Sequence, residues 1–181
     1  MTATLIERSL FAAVGVLLEY PRAGYFAHVA ATHDAMVESC PDAALGLSEF
    51  LDAVDGKDLS ELEDLYARTF DFAPLCNAYV SVHLFGDESF KRSQLMSGLV
   101  EAYQRAGFDP GAELPDHLAV ILRFAPQLSG AEWDDMVTCC LRSAVTKMIE
   151  PLERAANPYH HALRALLRML DADYPQEANH V

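Results

Sequence analysis

The chain is short of the residues and spacings that most chemistry requires. Its 181 residues hold four cysteines, Cys40, Cys76, Cys139 and Cys140, and no Cys-x-x-Cys pair. Cys139 and Cys140 are adjacent, and neighbouring side chains on a helix point in different directions. The spacing excludes the usual zinc and thiol-exchange motifs, and the four read as reduced, mostly buried thiols. There is no glycine-rich phosphate loop, no Gly-x-Ser-x-Gly elbow and no His-Glu-x-x-His. Those absences remove the main signatures of nucleotide binding, acyl transfer and zinc hydrolysis. No catalytic residue and no metal ligand is assigned from motifs.

A membrane-length apolar run is also missing. The greasiest stretch, residues 10–18, is bracketed by Glu7, Arg8 and Glu19. It is too short to cross a bilayer and lacks the order of a secretory signal, so it reads as a buried helix. No twin-arginine pair occurs, so the chain does not read as an exported client, and a cytoplasmic location without membrane insertion is expected.

Positive charge is scarce: 13 Lys and Arg stand against 27 Asp and Glu, a net charge of −14. The deficit is local. Residues 34–88 carry thirteen acids against only Lys57 and Arg68, whereas residues 89–168 carry nine of each sign. Such a field disfavours nucleic acid and favours basic partners, although solubility alone would also account for it.

What is present is helical. The chain is 51% hydrophobic, with apolar residues at three- and four-residue steps and no convincing alternating run. This predicts an all-α fold in a single domain over residues 1–174, followed by a polar, frayed tail at 175–181 that begins to loosen from Asp171. Helices are expected over residues 4–19, 24–39 and 42–54, the third mildly interrupted by Gly46. Asp58 and Glu61, and again Ser129 and Glu132, have capping-box spacing. A short helix over 77–84 precedes a long one capped by Asp87, with Phe90, Leu95, Leu99 and Tyr103 inward and Gly107 as its stop. Pro115 is placed in the first turn of the next helix, with Leu118, Ile121, Leu122 and Ala125 inward. A helix of about twenty residues from Ser129 is kinked or broken by Pro151, and Asn157-Pro158 opens the last.

Two groups of residues invite a functional reading. Asp116-His117 resembles an acid–base pair, but an acid in a first helical turn already interacts well with the positive end of the dipole, and His117 there is expected to be neutral. Tyr66, Phe70 and Phe72 form an aromatic stripe, ordinarily core. Here they close the most acidic part of the chain, and an apolar groove rimmed by carboxylates suits a basic, amphipathic peptide.

Four segments in order, LLEYP, YARTFDF, HLFGDESFKR and ELPDHL, resemble the NarJ-type nitrate reductase assembly chaperones of the TorD/DmsD family. The resemblance implies an all-helical bundle of eight or nine helices that is not an enzyme. Its partner would be the catalytic subunit of a molybdenum oxidoreductase, held by an N-terminal leader, often a twin-arginine signal or its remnant. The client's bis-molybdopterin guanine dinucleotide would be inserted while the chaperone delays export, the chaperone itself binding no cofactor stably. A monomer or a weak, domain-swapped dimer is expected. The family's peptide-binding run maps onto Glu113, Pro115, Asp116 and His117, with Leu118 beside it. Its aromatic helix maps onto Tyr66 and Phe70, with Phe72 close by, and its turn onto His83, Gly86 and Asp87. Asp116 would then accept hydrogen bonds from a leader arginine, so Asp116→Ala is expected to weaken binding without unfolding the protein. The chain ends soon after its last helix, unlike many nitrate reductase chaperones. That leaves selenate, chlorate, dimethyl sulfide and ethylbenzene enzymes open as clients. A generic helical adaptor, or a small hydrolase or nucleotide-binding protein using Asp116 and His117, is the alternative.

Overall fold

Capping chemistry sets most of the helix boundaries in the computed structural model of the chain, which describes residues 6–71 and 73–174. Asp58 accepts from the Glu61 amide and Glu61 reaches back to the Asp58 amide, both at 2.9 Å. Ser129 and Glu132 repeat the device. The helices are α1 (Arg8–Leu17), α2 (Tyr25–Ser39), α3 (Pro41–Ala53), α4 (Leu59–Tyr66), α5 (Val80–Phe85), α6 (Phe90–Ala106), α7 (Leu118–Phe124), α8 (Gly130–Met136), α9 (Arg142–Arg154) and α10 (Tyr159–Asp173). A π turn, Ala67–Asp71, extends α4, and a second, Val137–Leu141, fuses α8 to α9, leaving nine continuous rods among the described residues. There is no sheet among them, and the all-α expectation holds.

Packing follows a circuit. α7 lies on α1, α1 on α2, α2 on α3, α3 on α10, α10 on α9, and α9 on α5. The interior of that circuit is filled by fully buried Phe11, Phe50, Leu62, Trp133, Leu141 and Tyr159. Two glycines let rods approach closely. A Cβ on Gly15 would lie 2.9 Å from the Ala119 carbonyl oxygen, and one on Gly46 would lie 3.0 Å from the Ala165 Cβ. Gly46 therefore does not interrupt α3; it is the contact face of an unbroken helix. No described helix is long and apolar enough to cross a membrane.

Several boundaries differ from expectation for identifiable reasons. The expected start of the first helix at residue 4 lies outside the described residues, as does the tail at 175–181. Ser89 rather than Asp87 caps α6, because its hydroxyl accepts from the Lys91 amide at 3.2 Å. Phe90 then falls on the outer face and is 78% exposed, not inward. Pro151 sits inside α9 without breaking it, and the rod ends at Arg154. The real irregularities are the π turns. In the first, Thr69 donates to the Leu65 carbonyl at 2.6 Å and accepts from Asn157 at 2.8 Å, a side-chain back-bond that distorts the ladder. Residues 171–173 are helical and tied down: Asp171 pairs with Arg142 at 3.0 Å, and Asp173 accepts from the Ile6 amide at 2.9 Å.

Gly15→Ala should lower unfolding free energy by about 1–3 kcal/mol, although alanine is the better helix former by about 1 kcal/mol. Denaturant unfolding reads this as a lower midpoint at constant slope; a raised midpoint would mean that α1 and α7 have room between them.

Candidate peptide-binding site

The circuit of helices closes at one place. Tyr79 and His117, both in extended conformation before a helix, form an isolated antiparallel bridge. The Val80 amide donates to the Asp116 carbonyl and the Leu118 amide to the Ala78 carbonyl, each at 2.9 Å. The bridge explains why α5 and α7 begin three residues later than the pattern suggests. It also moves Asp116 out of the first helical turn, to the residue before the cap.

Asp116 is 0% exposed. The Ser81 hydroxyl donates to its Oδ2, while Oδ1 has no hydrogen-bond partner among the described residues. Arg92 donates from Nε to Ser81 Oγ at 3.0 Å and from Nη1 to the Asp87 carbonyl at 3.2 Å. His117 is 4% exposed, and its Nδ1 accepts from the Ala119 amide at 3.2 Å, capping α7. That contact places the proton of the neutral ring on Nε2. Burial pushes the His117 pKa down, against the pull of Glu113, Glu19, Asp116 and Asp71. The ring is neutral as expected, but desolvation is the leading cause.

The aromatic residues meet beneath this bridge. Phe70 lies 5.1 Å from Tyr66 and 5.1 Å from Tyr159, ring centre to ring centre, and Tyr20 lies 5.5 Å from Tyr66. Phe70, His117 and Leu118, three of the residues singled out from sequence, share a void with Leu18, Ala78, Met148 and Leu163. The void is only about 10 Å³, no larger than the ~10–15 Å³ that a single water needs. Tyr66, Phe70, Asp116, His117 and Leu118 are buried rather than lining an open trough. Phe72 lies outside the described residues.

Other expected residues occupy the periphery. Pro115 is half-buried, and its carbonyl accepts from the Tyr103 hydroxyl at 2.7 Å. The His83 ring meets the Asn77 carbonyl at 2.6 Å, and its own carbonyl accepts from Lys147 at 2.7 Å. Gly86, at φ +81°, ends α5, and Gly86 and Asp87 are exposed at its far end, where the Asp87 carbonyl is linked through Arg92 to Ser81.

The accessible shell over the seam is acidic and phenolic. Tyr20 is 44% exposed, and Asp71 and Glu113 are exposed. The Tyr79 hydroxyl donates to Glu113 at 3.4 Å. The Tyr20 pKa is raised by desolvation and then by Glu63, Asp64 and Asp71. The Tyr79 pKa is raised by desolvation and then by Glu113, Asp116 and Asp71. Asp71 is raised too, by desolvation and by Glu113. Ion pairs among the described residues involve none of Glu63, Asp64, Asp71 and Glu113. This surface can bind a guanidinium or ammonium through charge-assisted hydrogen bonds and ring faces. Sequence reasoning missed Tyr79 and Ser81, and it had Tyr103 only as an inward residue of α6. It had Arg92 only as the arginine downstream of His-Leu-Phe-Gly-Asp, and Tyr20 only inside LLEYP. A wider groove lies elsewhere, about 530 Å³ between α1 and α2, lined by Leu10 and Thr32 and edged by Glu7 and Glu38. No group of three or more potential metal-ligating side chains occurs among the described residues.

Fold and seam together define an all-helical protein whose acidic, aromatic face sits where its helix circuit closes. The chain belongs to the nitrate reductase delta subunit family, which it matches over residues 33–174. It is 31% identical over 123 residues to the nitrate reductase molybdenum cofactor assembly chaperone NarJ of Escherichia coli K12, and equally to that of Escherichia coli O157:H7. The match covers 66% of this chain and 52% of each relative, so the chain spans about half the length of these curated relatives.

Burial changes what Asp116→Ala should do. Removing the acceptor beneath Ser81 should cost about 1–3 kcal/mol of stability, read as a lower denaturation midpoint; an unchanged midpoint would show the contact to be idle. His117 gives a pH signature. Above its unfolded pKa of about 6.5 both states are neutral; below it the unfolded chain takes a proton that the folded one resists. Stability should therefore fall from pH 7 towards pH 5, and fall less in His117→Asn, which keeps a capping acceptor. His161, whose pKa is also lowered by burial, adds a slope of the same sign, so the difference between the two proteins is the readout.

Proposed function

We propose that this protein is a cytoplasmic assembly chaperone. It holds the catalytic subunit of a molybdenum-containing nitrate reductase by an N-terminal leader until the cofactor is in place. The 31% identity over 123 residues to proteins of that name carries the reading, and membership of the delta subunit family supports it. It also favours nitrate reductase among the possible clients. The bis-molybdopterin guanine dinucleotide belongs to the client, and the chaperone works by binding rather than by turnover.

The site supports binding in a specific way. A leader that is basic and then apolar meets Tyr20, Asp71, Tyr79 and Glu113 first, since these reach solvent over the seam. The unpaired carboxylates steer the encounter and select sign, and the phenolic rings supply contact area. Asp116, His117, Tyr66 and Phe70 support that surface from beneath in the closed structure. A hydrolase built on Asp116 and His117 fits poorly. The His117 Nδ1 is committed to capping α7, and the Asp116 carboxylate faces Ser81 in a site closed to water. A helical adaptor that takes an amphipathic helix is the second reading, favoured by the α1–α2 groove.

Co-expression with the tagged nitrate reductase catalytic subunit of the same genome should recover a complex, and deleting the subunit's leader should abolish it. Recovery that ignores the deletion would move the contact off the leader, and no recovery would remove this client. Asp71→Asn combined with Glu113→Gln should weaken leader binding about three- to tenfold at low salt, with the difference shrinking as the Debye length falls below about 10 Å.

A further inference from the structure

Arg92 stands in an unusual position for a half-exposed arginine. Its guanidinium is the terminal donor of a chain that runs inward from solvent to Ser81 Oγ and from Ser81 to the fully buried Asp116. No direct ion pair joins Arg92 to Asp116 among the described residues, and Asp116 Oδ1 is left without a partner. A buried carboxylate oxygen without a donor is costly, and planar guanidinium groups match a carboxylate bidentately. The site is thus built for a guanidinium but engaged by its own at one remove, through a hydroxyl. The helix that carries Arg92 is loosely held: of its seventeen residues only Leu99 and Tyr103 are buried, and the turns around Arg92 lie at the surface.

We propose that Arg92 is a resident placeholder in a guanidinium site formed by Ser81 and Asp116, and that an arginine from a bound peptide displaces it. The proposal rests on the leader-binding reading for the identity of that peptide, but the site itself is a property of this chain. In the resting state Arg92 screens Asp116 and keeps the α5–α6 corner shut. When an external arginine enters, Ser81 Oγ and the free Asp116 Oδ1 accept its two N–H edges, and Arg92 swings to solvent. The intramolecular donor competes with the ligand, so it lowers affinity for any single arginine side chain. Only a peptide with further contacts, to Asp71, Glu113 and the tyrosine rings, outbids it.

The test uses methylguanidinium as the probe on the full chain. Arg92→Ala should lose thermal stability and regain it saturably as methylguanidinium is added. Wild type should show no saturable gain, and neither should Arg92→Ala combined with Asp116→Asn. Where Arg92→Ala is too unstable to assay, Arg92→Gln carries the same test. Failure of the rescue in the single variant, or equal rescue in the double variant, overturns the site. A second arm measures a leader peptide containing adjacent arginines. Arg92→Ala should bind it at least threefold more tightly than wild type, and Arg92→Lys should not. Tighter binding by neither variant overturns the competition. Rescue by methylguanidinium with no peptide binding to any variant leaves the site standing and removes the leader-binding reading instead.

Discussion

The two backbone hydrogen bonds between residues 78–80 and 116–118 are the constraint on which the rest of the seam depends. Helices satisfy most of their own backbone, and the rods of the circuit lean on one another through side-chain packing, through bonds from side chains to carbonyls such as Tyr25 to Leu17, and through close approach at Gly15 and Gly46. Among the described residues, only at the Tyr79–His117 bridge do segments far apart in sequence exchange main-chain donors and acceptors. The bridge fixes where α5 and α7 begin, and so decides that His117 caps α7 and that Asp116 turns inward. It lays the Tyr79 ring 5.6 Å from the His117 ring and brings the Tyr79 hydroxyl to Glu113. Without it, Phe70, His117 and Leu118 would have no common floor.

Charge is arranged in two tiers around that bridge. The inner tier, Asp116 and His117, is dry; its polar atoms are used for caps and for the Ser81 contact. The outer tier, Asp71 and Glu113 with Glu63 and Asp64 nearby, is wet and has no ion pair among the described residues, and after desolvation it raises the pKa of Tyr20, Tyr79 and Asp71. Mutual repulsion among exposed carboxylates disfavours the empty face, and a cation relieves it. The acidic bias in residues 34–88 thus has a local focus, although most of those acids lie along α2, α3 and α4 and serve hydration.

Local rules were legible where they act alone. Asp58 with Glu61, Ser129 with Glu132 and the left-handed stop at Gly107 were readable from spacing, because a cap needs only its own turn. Asp87 and Phe90 misled because the cap moved two residues, to Ser89, and rotated the helix face with it. Pro115 and Asp116 misled for a different reason: they form a turn closed by the His117 amide on the Leu114 carbonyl, and a bridge from His117 to a residue 38 positions away delays the helix; no local pattern encodes a two-bond contact at that range. The π turns were invisible because Thr69 reads as an ordinary helical residue until Asn157 is placed beside it. The family pattern grouped Tyr66, Phe70 and His117; Phe70 and His117 line one void, and Tyr66 adjoins it through the Phe70 ring. Their depth was not legible, because such a pattern does not say which residues reach solvent.

That depth has a thermodynamic consequence. Most of the circuit is held by apolar packing over whole helix faces, whereas the loop from Asp109 to Leu114 is mostly exposed and held largely by single polar contacts. These are Arg123 to the Asp109 carbonyl and Tyr79 to Glu113, with Tyr103 on the Pro115 carbonyl at the loop's end. Each such bond contributes only about 0.5–1.5 kcal/mol net, and an exposed one can be replaced by water. Opening this loop therefore costs less than global unfolding, whereas Asp116 and His117 just beyond it are buried and tied by the bridge, so a local opening stops at the seam and leaves the aromatic floor covered.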